Sequence, residues 1–279
     1  MLNALTIDVE EHFQVHAFEK VISRADWDGY PSRVAANTRR ILRLLADQGV
    51  RATFFVLGWV ADRQPDLVRE IAAAGHEIGT HGYWHELIYR QTADEFAADL
   101  RRSMQAIDRA APGVPLAGYR APAFSITRQS LWALDILRQH GLQYDSSIFP
   151  LAAHDRYGIG DADRFANQVR DGLWEFPVST VRLGKQNWPV AGGGYFRLFP
   201  LWITRQAVRR INAEGRPAVV YLHPWEFDPD QPRVARAPLS SRFRHYVNLS
   251  KTESRLRALL QEFQFGTMRE AFAAQLAAS

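Results

Sequence analysis

One repeated unit constrains the fold of this 279-residue chain more than any other sequence feature. An amphipathic helix is followed by a glycine, and then by a short apolar strand that ends in a polar residue. The unit occurs four times, with the glycines at Gly49, Gly75, Gly141 and Gly215. Helices that alternate with apolar strands are typical of a parallel sheet covered by helices, and glycine suits the left-handed cap of a helix. We therefore expect an α/β fold.

Polar side chains that can do chemistry lie at the ends of the predicted strands. They are Asp8, His81, Arg120, Asp145 and His223. In barrels of parallel strands, functional residues lie where the strands end, so this convergence favours one closed barrel with a single active face over an open sheet. The helical periodicity that separates the strands predicts helices over 34–48, 65–74, 128–140 and 204–214, and a capping box predicts another that begins after Thr92.

The composition excludes several classes of protein. The net charge is +4 and the sequence pI is about 9.5, but acidic and basic residues are interspersed, so a nucleic-acid partner is not indicated. The chain has no cysteine, and any metal must therefore be held by histidines and carboxylates. We find no signal-peptide pattern and no apolar run of roughly 18 residues. The expected location is the cytoplasm, or the periphery of the inner membrane face.

Two short motifs gather metal ligands. His81-Gly-Tyr-Trp-His85 places two imidazoles four residues apart, and Asp8-Val-Glu10 places two carboxylates on the same face of a strand. One carboxylate with two imidazoles leaves coordination positions open, which is the ligand count of a catalytic divalent site. A histidine pair at this spacing is by itself more often structural than ligating, so the prediction depends on both motifs together.

These motifs resemble those of the NodB-type polysaccharide deacetylases, carbohydrate esterase family 4. Five elements match in order across residues 6–223, namely Thr6-Ile-Asp8-Val-Glu10, His81-Gly-Tyr-Trp-His85, Arg120-Ala-Pro-Ala-Phe124, Asp145-Ser-Ser147 and Leu222-His223. The resemblance implies a distorted (β/α) barrel with fewer than eight parallel strands, about seven. It also implies removal of N-acetyl groups from amino sugars by a hydrolase that holds zinc or another divalent ion.

The resemblance also implies roles for the site residues. The family usually has two adjacent aspartates where this chain has Asp8 and Val9, so the second carboxylate is expected to be Glu10. We expect Asp8 as general base, with Glu10, His81 and His85 as metal ligands; the exchange of Asp8 and Glu10 stays open. In the remaining motifs His223 is the acid that protonates the leaving amine, Arg120 orients Asp8, and Asp145 orients His223. From the residues alone, two alternatives stay open. Arg120 and Asp145 could form a structural ion pair with each other, and His223 could be a buried histidine with a structural role.

Substrate contacts are expected from five residues: Pro122, Phe124, Trp225, Arg244 and His245. A backbone N–H after Pro122 is the expected donor to the oxyanion. We expect the barrel to span 1–225, with 226–279 as an extension packed on it in one structural unit. The extension resembles that of a subgroup associated with exopolysaccharide gene clusters and protein sorting, which implies a surface polysaccharide, or its lipid-linked precursor, and peripheral association with an export complex.

Two other functions remain open from the sequence. One is hydrolysis of a different amide, such as a formyl group or a cyclic amide, by the same fold. The other is a saccharide-binding protein without catalysis. An open cleft lined by aromatic side chains favours a polymer, whereas a closed pocket favours a small molecule.

Overall fold

The computed structural model describes residues 1–152 and 158–278. The strands are β1 (Asn3–Val9), β2 (Thr53–Val56), β3 (Glu77–Thr80), β4 (Gly118–Tyr119), β5 (Tyr144–Asp145), β6 (Asn167–Arg170), β7 (Leu173–Glu175), β8 (Thr180–Leu183), β9 (Gln186–Pro189), β10 (Val219–Leu222) and β11 (Phe265–Gly266). The α-helices are α1 (Val34–Gln48), α2 (Gly58–Arg63), α3 (Pro65–Ala73), α4 (Ala93–Ala110), α5 (Ala133–Gln139), α6 (Gly193–Leu198), α7 (Leu201–Ala213), α8 (Leu239–Tyr246), α9 (Thr252–Leu260), α10 (Met268–Ala271) and α11 (Ala273–Leu276).

Parallel strands form the wall of the molecule. Within the described residues, the main sheet has the order β10-β1-β2-β3-β4-β5-β7-β6, and the first seven of these strands are mutually parallel. β6 pairs antiparallel with β7, and β11 adds a short parallel pairing to the start of β1. The expectation of an α/β barrel with about seven parallel strands is confirmed.

The barrel is closed by irregular contacts instead of a continuous ladder. Ser179, four residues beyond β7, donates its N–H to the carbonyl of Val219 in β10 over 3.3 Å, and its Oγ accepts from the N–H of Val219 over 2.8 Å. These two bonds join the outer parallel strands without a β-bridge. The expected closed barrel is therefore a distorted one.

Helical periodicity places the helices as expected. In α1 the buried residues include Val34, Ile41, Leu44 and Leu45, one apolar stripe that packs on the sheet. The helix ends at Gly49, whose φ of 64° lies in the left-handed region that glycine adopts without strain. The helix predicted over 128–140 is shorter, because residues 128–130 form a 3₁₀ turn and α5 begins only at Ala133.

Two hairpins were absent from the sequence prediction. They are β6 with β7, and β8 with β9, and both are antiparallel. Their strands are three or four residues long, and most of their positions are partly or fully exposed, so they carry no continuous apolar run. Gly172 and Gly184 occupy the turns with positive φ, which is the local signal that could have revealed them.

The residues after 225 contact the barrel at several points. β11 pairs with β1, and buried Arg197 of α6 donates hydrogen bonds to the carbonyls of His245 and Val247. Leu256 and Leu259 of α9 belong to the same apolar core as β1 and α1. Within the described ranges, no helix combines the length and the apolar character needed to cross a membrane.

Candidate active site

A cavity at the carboxyl ends of the parallel strands gathers the predicted site residues. Its volume is about 170 Å³. The side chains that line it include Asp8, Glu10, His81, His85 and His223. Asp8 is on β1, and the others come one to five residues after β1, β3 and β10. The ends of β1, β3 and β10 therefore form one face of the barrel.

Glu10, His81 and His85 could hold a metal ion. One ligand atom from each lies within 4.8 Å of the other two, slightly wider than the spacing of ligands bound about 2 Å from one ion. Glu10 Oε2 lies 2.5 Å from His85 Nε2 and 4.0 Å from His81 Nε2, and among the described residues no well-aligned donor reaches this buried oxygen. A carboxylate oxygen crowded by two imidazole nitrogens, without its own donor, suits a site that a cation completes.

The imidazole of His81 is held in the tautomer that a ligand needs. Its Nδ1 donates to the carbonyl of Arg120 over 2.7 Å, which leaves Nε2 with a lone pair facing the cavity. Burial lowers the pKa of His81 to about 4, so the ring is neutral near pH 7. His85 has a φ of 54°, a left-handed backbone that is uncommon outside glycine and that marks a constrained position.

Trp225 fixes the other oxygen of Glu10. Its indole Nε1 donates to Glu10 Oε1 over 3.1 Å, and the ring is nearly parallel to His223. Burial alone would raise the pKa of Glu10, but His85, His223 and His81 outweigh it and hold that pKa well below its usual range. Glu10 is therefore ionised, as a metal ligand must be.

Asp8 is bound to a fully buried arginine instead of to the imidazole pair. Arg120 Nη1 donates to Asp8 Oδ1 over 2.8 Å and to Thr6 Oγ1 over 2.6 Å. The remaining guanidinium nitrogens donate to the carbonyl and the hydroxyl of Ser146. With every side of the guanidinium occupied, Arg120 holds one oxygen of Asp8 and leaves Oδ2 directed toward His223, whose Nε2 is 3.8 Å away.

His223 is oriented by Glu226. Its Nδ1 donates to Glu226 Oε1 over 2.5 Å, and Arg197 Nε donates to Glu226 Oε2 over 2.6 Å, with both residues of that ion pair buried. Burial alone would lower the pKa of His223, but the hydrogen bond that its ring donates to Glu226, with the charges of Glu10, Glu226 and Asp8, raises it to about 9. The ring is therefore an imidazolium near pH 7, with Nε2–H facing the cavity.

The position next to His223 was expected for Asp145, and the structure gives it to Glu226. Asp145 is buried in the wall, where its Oδ1 accepts from Ser147 Oγ and where it is the cross-strand neighbour of Glu175. The reason is local, since Asp145 ends β5 and is paired with Glu175 on the neighbouring strand β7. Glu226 stands three residues after His223 on a 3₁₀ turn, and that spacing is the only sequence signal for it. Arg197 carries none.

Asp145 and Glu175 form a buried pair of carboxyl groups, and we infer that they share a proton. Among the described residues no donor reaches Asp145 Oδ2 or Glu175 Oε2, and the two carboxyl groups interact directly. Burial, then the adjacent Asp145 charge, raises the pKa of Glu175 well above its usual value. A protonated Glu175 that donates to Asp145 satisfies both oxygens.

This shared proton makes stability depend on pH. Between the ordinary glutamate pKa and the raised folded value, the folded chain holds a proton that the unfolded chain has lost, so stability falls as the pH rises. Glu175→Gln supplies a donor that does not titrate. We expect the melting temperature of the variant, relative to wild type, to rise steadily from pH 5 to pH 9. Exposed Glu70→Gln is the control, and parallel curves for Glu175→Gln and wild type would contradict the shared proton.

The loop after Arg120 carries two residues in left-handed conformation. Ala123 has a φ of 50° and Phe124 a φ of 53°, and both line the cavity, whereas Pro122 is buried outside its lining. The N–H groups of Phe124 and Ser125 are used in turns. Within the described residues the N–H of Ala123 has no recorded acceptor, so it is the candidate donor for an oxyanion in this loop.

The other predicted substrate contacts separate into two groups. Trp225 lines the cavity, but His245 lies behind it, buried, stacked on the indole and bonded through Nε2 to Gln231 over 2.7 Å. The structure therefore places His245 as support for Trp225 and not on the cavity wall. Arg244 is exposed and lines a neighbouring cavity that shares Tyr221 with the site.

A second, larger cavity continues from the site. It has a volume of about 420 Å³ and shares Val15, His16 and His85 with the smaller cavity. Trp84 lines it, and the ion pair of Arg24 with Glu86 lies along it. The two cavities together form a groove open to solvent, with donors, acceptors and an aromatic face.

Two family models cover most of the chain. Residues 26–144 match the polysaccharide deacetylase family, and residues 146–273 match a domain of unknown function, DUF3473. Asp8 and Glu10 precede both matches, and His223 and Glu226 fall in the second. The site described above therefore draws on residues from both matched regions and from the segment before them.

Curated relatives match part of the chain. A peptidoglycan-N-acetylglucosamine deacetylase of Bacillus cereus is 38% identical over 87 residues, 31% of this chain and 29% of that protein. A chitooligosaccharide deacetylase of Rhizobium leguminosarum bv. trifolii is 34% identical over 100 residues, 36% of this chain and 43% of that protein. The match thus spans less than half the length of either relative.

The similarity to solved structures extends over the whole fold. A crystal structure of a candidate polysaccharide deacetylase from Mycobacterium smegmatis has a TM-score of 0.66 at 23% identity, covering 99% of this chain and 89% of that one. At that identity the likeness shows the fold, a distorted (β/α) barrel.

Proposed function

We propose that this chain removes N-acetyl groups from amino sugars of a bacterial surface polysaccharide. In support, residues 26–144 match the polysaccharide deacetylase family, and the curated relatives include a peptidoglycan-N-acetylglucosamine deacetylase. An exopolysaccharide or its lipid-linked precursor is the specific substrate we propose. A complex that exports the polymer is the proposed partner.

One observation carries the proposal. Asp8, a carboxylate held by Arg120, and His223, a charged imidazole held by Glu226, line one cavity together with the Glu10, His81 and His85 cluster. Amide hydrolysis requires both a base and an acid in one site, since one proton leaves the water and another reaches the amine.

The residues present fit a divalent ion, and we propose zinc because two imidazoles and a carboxylate are its common ligands. Glu10 Oε2, His81 Nε2 and His85 Nε2 would hold it. Such an ion supplies Lewis acidity, polarising the acetyl carbonyl and making water more acidic.

The protein groups then divide the proton transfers. Asp8 Oδ2 accepts a proton from the attacking water as its oxygen bonds to the carbonyl carbon. The Ala123 N–H donates to the oxygen that becomes negative. His223 Nε2–H gives its proton to the nitrogen as the C–N bond breaks, so the amine leaves neutral and acetic acid remains, which ionises to acetate in water. The proton on Asp8 then returns to His223, which restores both groups. Glu226 and Arg120 hold the acid and the base in place without touching the substrate.

The groove suits a saccharide chain better than a small closed substrate. The cavity at the catalytic residues continues into the larger one, whose wall includes the aromatic side chain of Trp84 and the Arg24 guanidinium over its ring. Ion pairs such as Arg24 with Glu86 offer hydrogen bonds to hydroxyl groups.

Acetate release from N-acetylglucosamine oligomers tests the function. We expect the purified chain, loaded with one equivalent of zinc, to release acetate, to stop when a chelator removes the metal, and to recover when zinc is returned. Longer oligomers should be better substrates because they fill the groove. Formate release from N-formyl amides without acetate release would instead support the small-amide alternative. Saturable oligomer binding without any release would support the non-catalytic one.

A further inference from the structure

The extension exposes an unusual apolar pair. Leu239 and Phe243 lie one turn apart on α8, with 79% and 61% of their side chains exposed. Leu198 of α6 is also exposed and lines the same cavity as Phe243. Large aliphatic and aromatic side chains at such exposure, side by side, are typical of a surface that binds something.

Unopposed positive charge surrounds this pair. The stretch from 231 to 252 contains Arg233, Arg236, Arg242, Arg244 and Lys251 and no acidic residue. Arg233 and Arg242 line a cavity with Leu239 and Phe243, and Arg244 lines another with Leu198 and Phe243. Elsewhere on the surface, arginines such as Arg39, Arg63 and Arg109 have carboxylate partners. We name Leu198, Leu239, Phe243, Arg233, Arg236, Arg242 and Arg244 the basic apolar surface.

The basic apolar surface borders the catalytic cavity. Tyr221 lines both the cavity of Asp8 and His223 and the cavity of Leu198, Phe243 and Arg244. Only the side chain of Tyr221 therefore separates a molecule bound at Leu198, Phe243 and Arg244 from the catalytic cavity. Its chemistry, apolar side chains among cations, is complementary to a layer of anionic headgroups over acyl chains.

We propose that the basic apolar surface docks the protein on an anionic lipid bilayer, with Leu239 and Phe243 inserted among the acyl chains. Docking there brings the mouth of the catalytic cavity to the membrane surface. The proposal does not depend on the deacetylase activity, because it rests on the surface alone.

Vesicle sedimentation tests it. We expect the chain to bind vesicles of phosphatidylglycerol and phosphatidylcholine, to bind pure phosphatidylcholine far more weakly, and to be released by salt, because exposed charges are screened. Leu239→Ser with Phe243→Ser should weaken binding by at least about tenfold, since both side chains lose acyl contact. Arg236→Ser with Arg242→Ser should weaken it by a similar factor, at about fivefold for each cation near the surface.

Matched controls isolate the surface. Leu183→Ser with Trp188→Ser removes an exposed apolar pair from the β8 and β9 hairpin, and Arg43→Ser with Arg101→Ser removes two exposed arginines from α1 and α4. We expect both controls to bind like wild type. Equal binding by all variants, equal binding to neutral vesicles, or a Leu239 and Phe243 variant that changes only self-association would each overturn the proposal.

Discussion

Asp8→Asn is expected to retain the metal and lose nearly all deacetylation. The amide has almost the shape of the carboxylate, so it can still accept from Arg120 Nη1, but it cannot take a proton from water. General base catalysis typically contributes 10²–10⁴-fold, and we expect a loss of about 10³-fold in kcat. The substitution also leaves buried Arg120 without its counter-charge, so thermal melting must accompany the assay. Acetate release and metal content of the folded variant are the measurements.

Matched variants separate the base from the ligand. Asp228→Asn makes the same change at a buried aspartate that pairs with Arg33 away from the cavity, and we expect it to keep full activity. Glu10→Gln should instead weaken metal binding by at least about a hundredfold. Loss of a residue that only orients a ligand typically lowers metal affinity by about 10–100-fold, and loss of a ligand itself should cost more. If Asp8→Asn lost the metal and Glu10→Gln kept it, the two roles would be exchanged.

The sequence predicts the metal cluster because its spacing is local. His81 and His85 are four residues apart, and Asp8 and Glu10 share one face of a strand, so no long-range knowledge is needed to bring each pair together. The strand-end rule then joins the pairs, since the parallel strands carry them to one rim. The contact of Arg120 with Asp8, across β1 and β4, was implied by the family resemblance and not by this rule.

The other contacts of the site, those made by Glu226 and Arg197, depend on three-dimensional packing that the sequence pattern does not report. Glu226 reaches His223 because both belong to the short 3₁₀ turn after β10, a turn that helical and strand periodicity do not report. Arg197 lies on α6, at the end of the segment that contains the two unpredicted hairpins, and its side chain binds Glu226. The conformation of that segment depends on glycine: Gly192 lies so close to Tyr221 that a β-carbon there would meet its carbonyl oxygen at 2.1 Å. Close approaches of this kind are visible only in three dimensions.

Glu226→Gln is expected to lower both stability and turnover. Arg197 stays buried and fully charged, and an amide cannot balance it, so the free energy of unfolding should fall by about 3–5 kcal/mol. His223 also loses the carboxylate that fixes its Nδ1–H. Because Glu226 does not line the cavity, we expect kcat to fall by about 10–100-fold while KM stays near the wild-type value, as for other orienting partners of catalytic histidines.

Two further variants show that positioning, and not stability alone, is measured. Glu70→Gln breaks an exposed pair with Arg39 and should cost less than about 1 kcal/mol with no change in kcat, because solvent screens that pair. Glu226→Asp keeps the negative charge for Arg197 but is one methylene shorter. We expect it to recover much of the stability that Glu226→Gln loses while kcat stays low, since the carboxylate no longer reaches Nδ1. If Glu226→Asp restored stability and kcat together, Glu226 would stabilise the fold without orienting His223.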